Sequence, residues 1–227
     1  MTQLSAASLT VMLLVCSTLP AMGQVDSPQT ESTPTAVPVV INNTSAAPSP
    51  VVIVNPPPPK THLQAMAEQK GTLIVCGYTD VGTVQRDDGS YVRVTAAEFT
   101  NMGNATKQYG LLVFVHQTDG TARETRSYID EDEVDQLLSS LDAMSKLDRT
   151  NTQMNDYDAK IRTRGDLEIA NIDDAGVREV AFHGVEIVSS SGLEIWATTR
   201  FPLGRLSEIT QYLTTGKQLI EKAKENK

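Results

Sequence analysis

Leu111-Leu-Val-Phe-Val-His-Gln-Thr-Asp-Gly120, and ten residues later Asp130-Glu-Asp-Glu-Val-Asp-Gln-Leu-Leu138, decide the fold class. The first stretch is a run of β-branched, aliphatic and aromatic residues, too short for a buried helix and ended by Asp-Gly, the dipeptide that closes hairpins. It predicts a strand over about 108–116, a turn at Asp119-Gly120 and a returning strand from Ala122 to Tyr128. The second stretch changes period. Val134, Leu137, Leu138, Leu141, Met144 and Leu147 recur every three or four residues, which lines up one apolar face of a helix. The acid at Asp130 with Glu133 three residues on resembles a capping box at the start of that helix.

Upstream, strand signals continue. Thr72 to Tyr78 and Val81 to Arg86 read as a hairpin, Asp87-Asp-Gly89 as a turn, and Ser90 to Thr100 as an alternating strand. Residues 60–69 form a helical lead-in with Leu63, Met66 and Ala67 on one side. Downstream the pattern restarts. Tyr157 to Arg164 and Asp166 to Ile172 read as strands, Val177 to Val188 as a strand broken near Gly184, and Leu193 to Arg200 as another. A last helix from about Leu203 to Lys224 carries Leu206, Ile209, Leu213, Gly216, Ile220 and Ala223 along one side. Several strands followed by a helix, twice, predict an α+β fold of antiparallel sheets with two amphipathic helices. The half-repeats span about 71–148 and 157–225, an internal duplication.

The front of the 227-residue chain is different in kind. Ten of its eleven prolines lie between Pro20 and Pro59, no Lys or Arg precedes Lys60, and every aromatic residue follows it. Aromatic side chains supply much of a core, so the folded domain is expected over 61–227. Leu9 to Leu19 is an apolar run of signal-peptide length, and Ala21-Met-Gly23 offers small residues for cleavage before Gln24. We therefore expect a signal peptide at 1–23, a Pro/Thr/Val-rich linker at 24–60, and a periplasmic or secreted destination. Leu13-Leu-Val-Cys16 also resembles a lipobox, with Val15 where that pattern wants a smaller residue; lipidation at Cys16 would be the chain's route to a membrane. The linker reads as a spacer, with Val51-Val-Ile-Val54 a possible strand for a sheet edge. Asn42, Asn43 and Asn104 sit in glycosylation acceptor triplets.

After cleavage Cys76 is the sole cysteine, which excludes an intramolecular disulfide; its setting in Leu73-Ile-Val-Cys-Gly77 predicts a buried side chain. All 19 basic and 26 of the 28 acidic residues lie from Lys60 onward, which gives that stretch a formal charge of −7. Such a surface repels phosphate backbones and anionic lipid, so no nucleic-acid partner is expected.

No constellation of catalytic type stands out, and the reading leans away from an enzyme. His62, His116 and His183 share no metal-ligand spacing, and no calcium loop appears at Asp87-Asp88 or Asp173-Asp174, so neither a metal site nor a cofactor is expected. The candidate binding residues are Arg162, Arg164, Trp196 and Arg200, whose alternate positions suit a sheet face that grips an anion or glycan. A solvated face with a core tryptophan is the plainer account of them. The expected function is that of a non-enzymatic binding module of the envelope or extracellular space, with a protein or glycan partner. A hydrolase with scattered carboxylates is the alternative.

Four strands and a helix, repeated, resembles the order in the Whirly single-stranded-DNA-binding proteins and the mitochondrial guide-RNA-binding proteins. That resemblance supports the α+β fold of a repeated strands-then-helix unit and implies a third reading, single-stranded nucleic-acid binding. Those families open their first strand with a Lys-rich motif, of which only Lys70-Gly71 is present here. More loosely, the chain resembles exported bacterial domains to which no chemistry is assigned.

Overall fold

The computed structural model describes residues 59–154, 156–174, 176–188 and 193–225, the side chains of 187, 188 and 193 aside. The chain divides into two units, Met1–Pro50 and Val51–Lys227, and the described residues belong to the second. The leader with Cys16, the acceptor sites at Asn42 and Asn43, the segment 51–54 and the turn at 189–192 lie outside them.

A short helix α1 (His62–Ala67) leads into β1 (Ile74–Gln85), β2 (Tyr91–Asn101), β3 (Lys107–Gln117), β4 (Arg123–Asp130) and α2 (Glu131–Ser145). The order then repeats as β5 (Tyr157–Arg162), β6 (Glu168–Asp174), β7 (Val177–Val188), β8 (Leu193–Pro202) and α3 (Leu206–Glu225). Each set of four strands makes one antiparallel sheet in sequence order. The fold is α+β, built from a strands-then-helix unit that occurs twice.

The two units match in backbone detail. β1–β2 and β5–β6 close with five-residue turns, 86–90 and 163–167. In the first, Arg86 N donates to Ser90 O and Gly89 N to Arg86 O; in the second, Thr163 N donates to Leu167 O and Asp166 N to Thr163 O. The fourth turn residue is left-handed in both, at Gly89 (φ 88°) and Asp166 (φ 62°). Asp tolerates that region better than most non-glycine residues.

Both halves share one core. Val92, Leu111 and Val113 of the first sheet and Ile169, Phe182 and Phe201 of the second belong to a single buried cluster with Leu137 and Leu141 of α2 and Leu213 and Ile220 of α3. The helix that ends the chain packs on the first sheet rather than on its own: a methyl at Gly216 would lie 2.7 Å from Leu111 Cδ2, and one at Gly82 would enter the Tyr212 ring. α2 runs antiparallel to α3, with Lys217 on Asp135 (2.6 Å) and Lys224 on Glu131 (2.6 Å). A smaller cluster on the opposite face of the first sheet packs Leu63 and Met66 of α1 against Ala97, Phe99, Leu112 and Tyr128.

Four expectations need correction. The hairpin expected at Thr72–Arg86 is one strand, β1, whose register shifts between Asp80 and Gly82; Val81-Gly82 is a bulge rather than a turn. β7 runs unbroken through Gly184, which is glycine because the sheets meet there: a methyl would overlap the Thr125 hydroxyl and lie 3.5 Å from Val115 Cβ. Cys76 is exposed, because β1 is an edge strand and α1 covers Phe99 beyond it. Asp130 is the N-cap residue of α2 but bonds none of its amides. Its buried carboxylate instead accepts from His62 N (2.8 Å) and Leu63 N (2.9 Å), so it fixes the first turn of α1 from across the sheet.

Candidate functional site

Arg162, Trp196 and Arg200 do share the outer face of the second sheet, as strand alternation requires. They do not form one grip. Arg162 is on β5 and the other two on β8, the opposite edges of a four-stranded sheet. Arg162 pairs with Asp166 (3.3 Å) and Arg200 with Glu179 (3.8 Å). Trp196 is half exposed and not the core residue of the plainer account. Arg164 leaves the strand altogether: it stands in the β5–β6 turn and pairs with Asp130, Asp132 and Glu133, bolting that turn to the start of α2. Between the edges, His183 Nδ1 meets Thr198 Oγ1 at 2.8 Å, and burial holds its imidazole below the ordinary value, with Arg200 adding to that and Glu168 opposing it.

The first sheet brings together a different set. The side of it that bears α1 is covered at one end only. At the other, the register aligns two cross-strand rows, Gln85–Tyr91–His116–Glu124 and Thr83–Arg93–Phe114–Arg126. The Arg93 guanidinium lies 4.4 Å from the Phe114 ring centre and 5.8 Å from that of Tyr91. Tyr91 stacks on His116 at 4.7 Å and 16°. Its hydroxyl donates to Glu124; burial chiefly, and then this carboxylate, push the phenol above its usual range. Arg126 sits over Tyr128 at 5.1 Å, with Glu186 3.9 Å away. Farther along, Tyr78 is 55% exposed and edge-on to Phe99.

Arg93 makes no ion pair among the described residues. Its Nε is shielded without a hydrogen-bond partner, and the aromatic rings hold the guanidinium in place instead. A cation on an aromatic face is stabilised by about 0.5–1 kcal/mol at exposed sites, and the remaining guanidinium donors stay open to a ligand. The result is a flat platform of planar cations and rings, edged by the hydrogen-bonding groups of Gln85, His116 and Glu124. It has no deep cleft.

The acidic corner is chemically occupied. Asp130 holds α1, Asp132 and Glu133 hold Arg164, and Glu131 holds Lys224, around a hollow of 290 Å³. The larger hollow, 670 Å³ between α2 and α3, is lined by Leu141, Asp142, Arg178, Leu203 and Ser207 and brings no two carboxylates together. Among the described residues no group of three His, Cys, Asp or Glu side chains is placed to hold a metal, and no described helix is long and apolar enough to cross a membrane.

The sequence reading passed over this platform because it took Leu111 to Val115 as one apolar run and Ser90 to Thr100 as a plain alternating strand. The available signal was a polar-tipped or aromatic residue at every second position in three adjoining strands: Tyr91 and Arg93, Phe114 and His116, Arg126 and Tyr128. No family model matches the chain, nor does any curated protein or solved structure.

Proposed function

We propose that the chain is an exported, non-enzymatic binding module whose first sheet receives a glycan or a protein segment lying flat across it. The observation that carries the reading is Arg93, held on Phe114 and Tyr91 with no carboxylate to neutralise it. Rings and guanidinium planes suit the flat faces of sugars and the backbones of extended peptides, and arginine and tyrosine are enriched at binding hot spots. The apolar leader and Pro-rich stretch support export and a tether, with Cys16 the route to a lipid anchor. The engaged state of Asp130 to Glu133 speaks against the hydrolase alternative.

The repeated unit is compatible with a duplication and with the Whirly-like order of elements. Single-stranded nucleic acid also stacks on rings, but Arg126 pairs with Glu186 and the adjoining positions carry Asp80 and Glu124, so the cations form no continuous positive groove among the described residues. We therefore do not assign that function.

Titration against a glycan array, envelope proteins and single-stranded oligonucleotides tests the proposal. Binding to a glycan or a protein should weaken at least tenfold in Arg93→Ala and Phe114→Ala while thermal stability stays near that of the parent. A ligand whose affinity both variants retain would refute the platform, and tight binding to oligonucleotides would refute the ligand class.

A further inference from the structure

The four sheet edges are not treated alike. On β8, Thr198 N donates outward to Gln117 Oε1 (2.9 Å), and Arg86 Nη1 donates to the Arg200 carbonyl (2.6 Å), so side chains of the first sheet occupy that edge. β5 exposes Asp158, Lys160 and Arg162 among its six residues, a charged fringe of the kind that blocks strand addition. β4 is met by the β5–β6 turn: a methyl at Gly165 would lie 2.9 Å from the Tyr128 carbonyl carbon. β1 has its bulge at Val81-Gly82, but residues 73–79, before the bulge, have no such device among the described residues. From Gly71 to Thr79 it has no charge and no proline, and Leu73 (67% exposed), Val75 (49%) and Tyr78 (55%) stand out on both of its faces with Cys76 between them.

We propose that two copies of the chain pair antiparallel along the free edge of β1, residues 73–80, and join their first sheets into one eight-stranded sheet. Two arguments select a second copy as the occupant. The first is charge. A chain of net charge −9 repels its own copies over most of its surface. Residues 71–79 are a neutral stretch, and a two-fold axis near Cys76 and Gly77 sets them opposite each other with no like charges in register. The second is symmetry and area. An isologous contact uses the same patch twice, so Leu73, Val75, Cys76 and Tyr78 are covered on both partners by one event. Beside the edge, a 370 Å³ groove lined by Thr79, Ala96, Leu219, Ile220 and Ala223 adds apolar surface for the partner's Val75 face. A specific interface buries roughly 1,000 Å² or more, so a contact confined to this strip and groove belongs to the weak class. A weak, concentration-dependent dimer is the expected form. The two-fold axis sets the two Arg93–Phe114 platforms on the same face at opposite ends of the joined sheet, and the pairing does not depend on either platform binding anything.

Sedimentation equilibrium of the whole chain from low to several hundred micromolar tests this, alongside Val75→Lys and Tyr78→Lys. Both substituted side chains already reach solvent, so the variants keep the fold, and circular dichroism checks that they do. The parent should shift from monomer to dimer while both variants remain monomeric. Maleimide labelling of Cys76 in the parent should slow at least fivefold over the same range and stay constant in the variants. A parent that is monomeric throughout overturns the proposal, as does a dimer that survives both lysines. So does a monomer whose β1 amides are nevertheless protected from hydrogen exchange, because its own residues 51–54 would then hold the edge.

Discussion

Gly184→Ala tests how the two sheets meet. The added methyl would lie 2.0 Å from the Thr125 hydroxyl, closer than real side chains approach, and 3.0 Å from Thr125 Cβ, a tight contact in itself. Thr125 is fully buried on β4 and Val115 on β3, so neither has solvent to retreat into. Overpacking a filled core costs about 1–3 kcal/mol, and the rigidity on both sides puts this case toward the upper end. For a domain of this size each kcal/mol moves the midpoint about 2–4 °C, so calorimetry should show a drop of roughly 4–10 °C. Two further variants make the argument specific. Gly204→Ala has nothing within 4 Å of the added methyl and should be neutral or slightly stabilising through the unfolded chain. Thr125→Ala combined with Gly184→Ala removes the overlapping hydroxyl and should recover part of the loss, giving a non-additive cycle. An unchanged midpoint in Gly184→Ala, or strict additivity in the pair, would refute this packing of β7 against β4.

Asp130→Ala removes two charge-assisted bonds to the amides of α1, a loss of about 2–4 kcal/mol. Hydrogen exchange should accelerate first at His62 and Leu63, and uniform acceleration would contradict the cross-sheet cap. His183 has its folded pKa below the ordinary 6.5. Its contribution to stability is therefore fully present above that value and is lost as pH falls through the folded one. The thermal midpoint should fall from neutral toward pH 5, and less steeply in His183→Gln. Ending the chain at residue 204 deletes α3 and uncovers Leu111 and Val94 of the first sheet; circular dichroism should show loss of cooperative unfolding, and an intact transition would show that α3 is dispensable.

What could be read from the sequence was what is periodic. The faces of α2 and α3 follow from spacing alone: Val134, Leu137, Leu141 and Met144, then Leu206, Ile209, Leu213, Gly216 and Ile220, are all buried. Ala223, on the same predicted stripe, is exposed and lines the open groove beside Gly77 and Thr79 of β1. Glycine was the ambiguous symbol. Gly82 was placed inside a hairpin strand and Gly184 at a break, yet each marks a close approach, to Tyr212 and to Thr125, which only a three-dimensional neighbour reveals. The arginines were ambiguous for a related reason. Arg162 and Arg200 carry the same alternation as Arg93, and register alone tells which of them meets an acid and which meets rings.

The placement of α3 also orders events in time. The first sheet is complete once residue 130 has been made, yet the cover for one of its faces is the final element of the chain. Closing that contact requires the longest loop the domain contains, a slow step by its topology. The core therefore cannot close until residues 206–225 are available to pack on the first sheet. Under the proposed export, the segment before them would stay pliable in passage, and the lock would follow it.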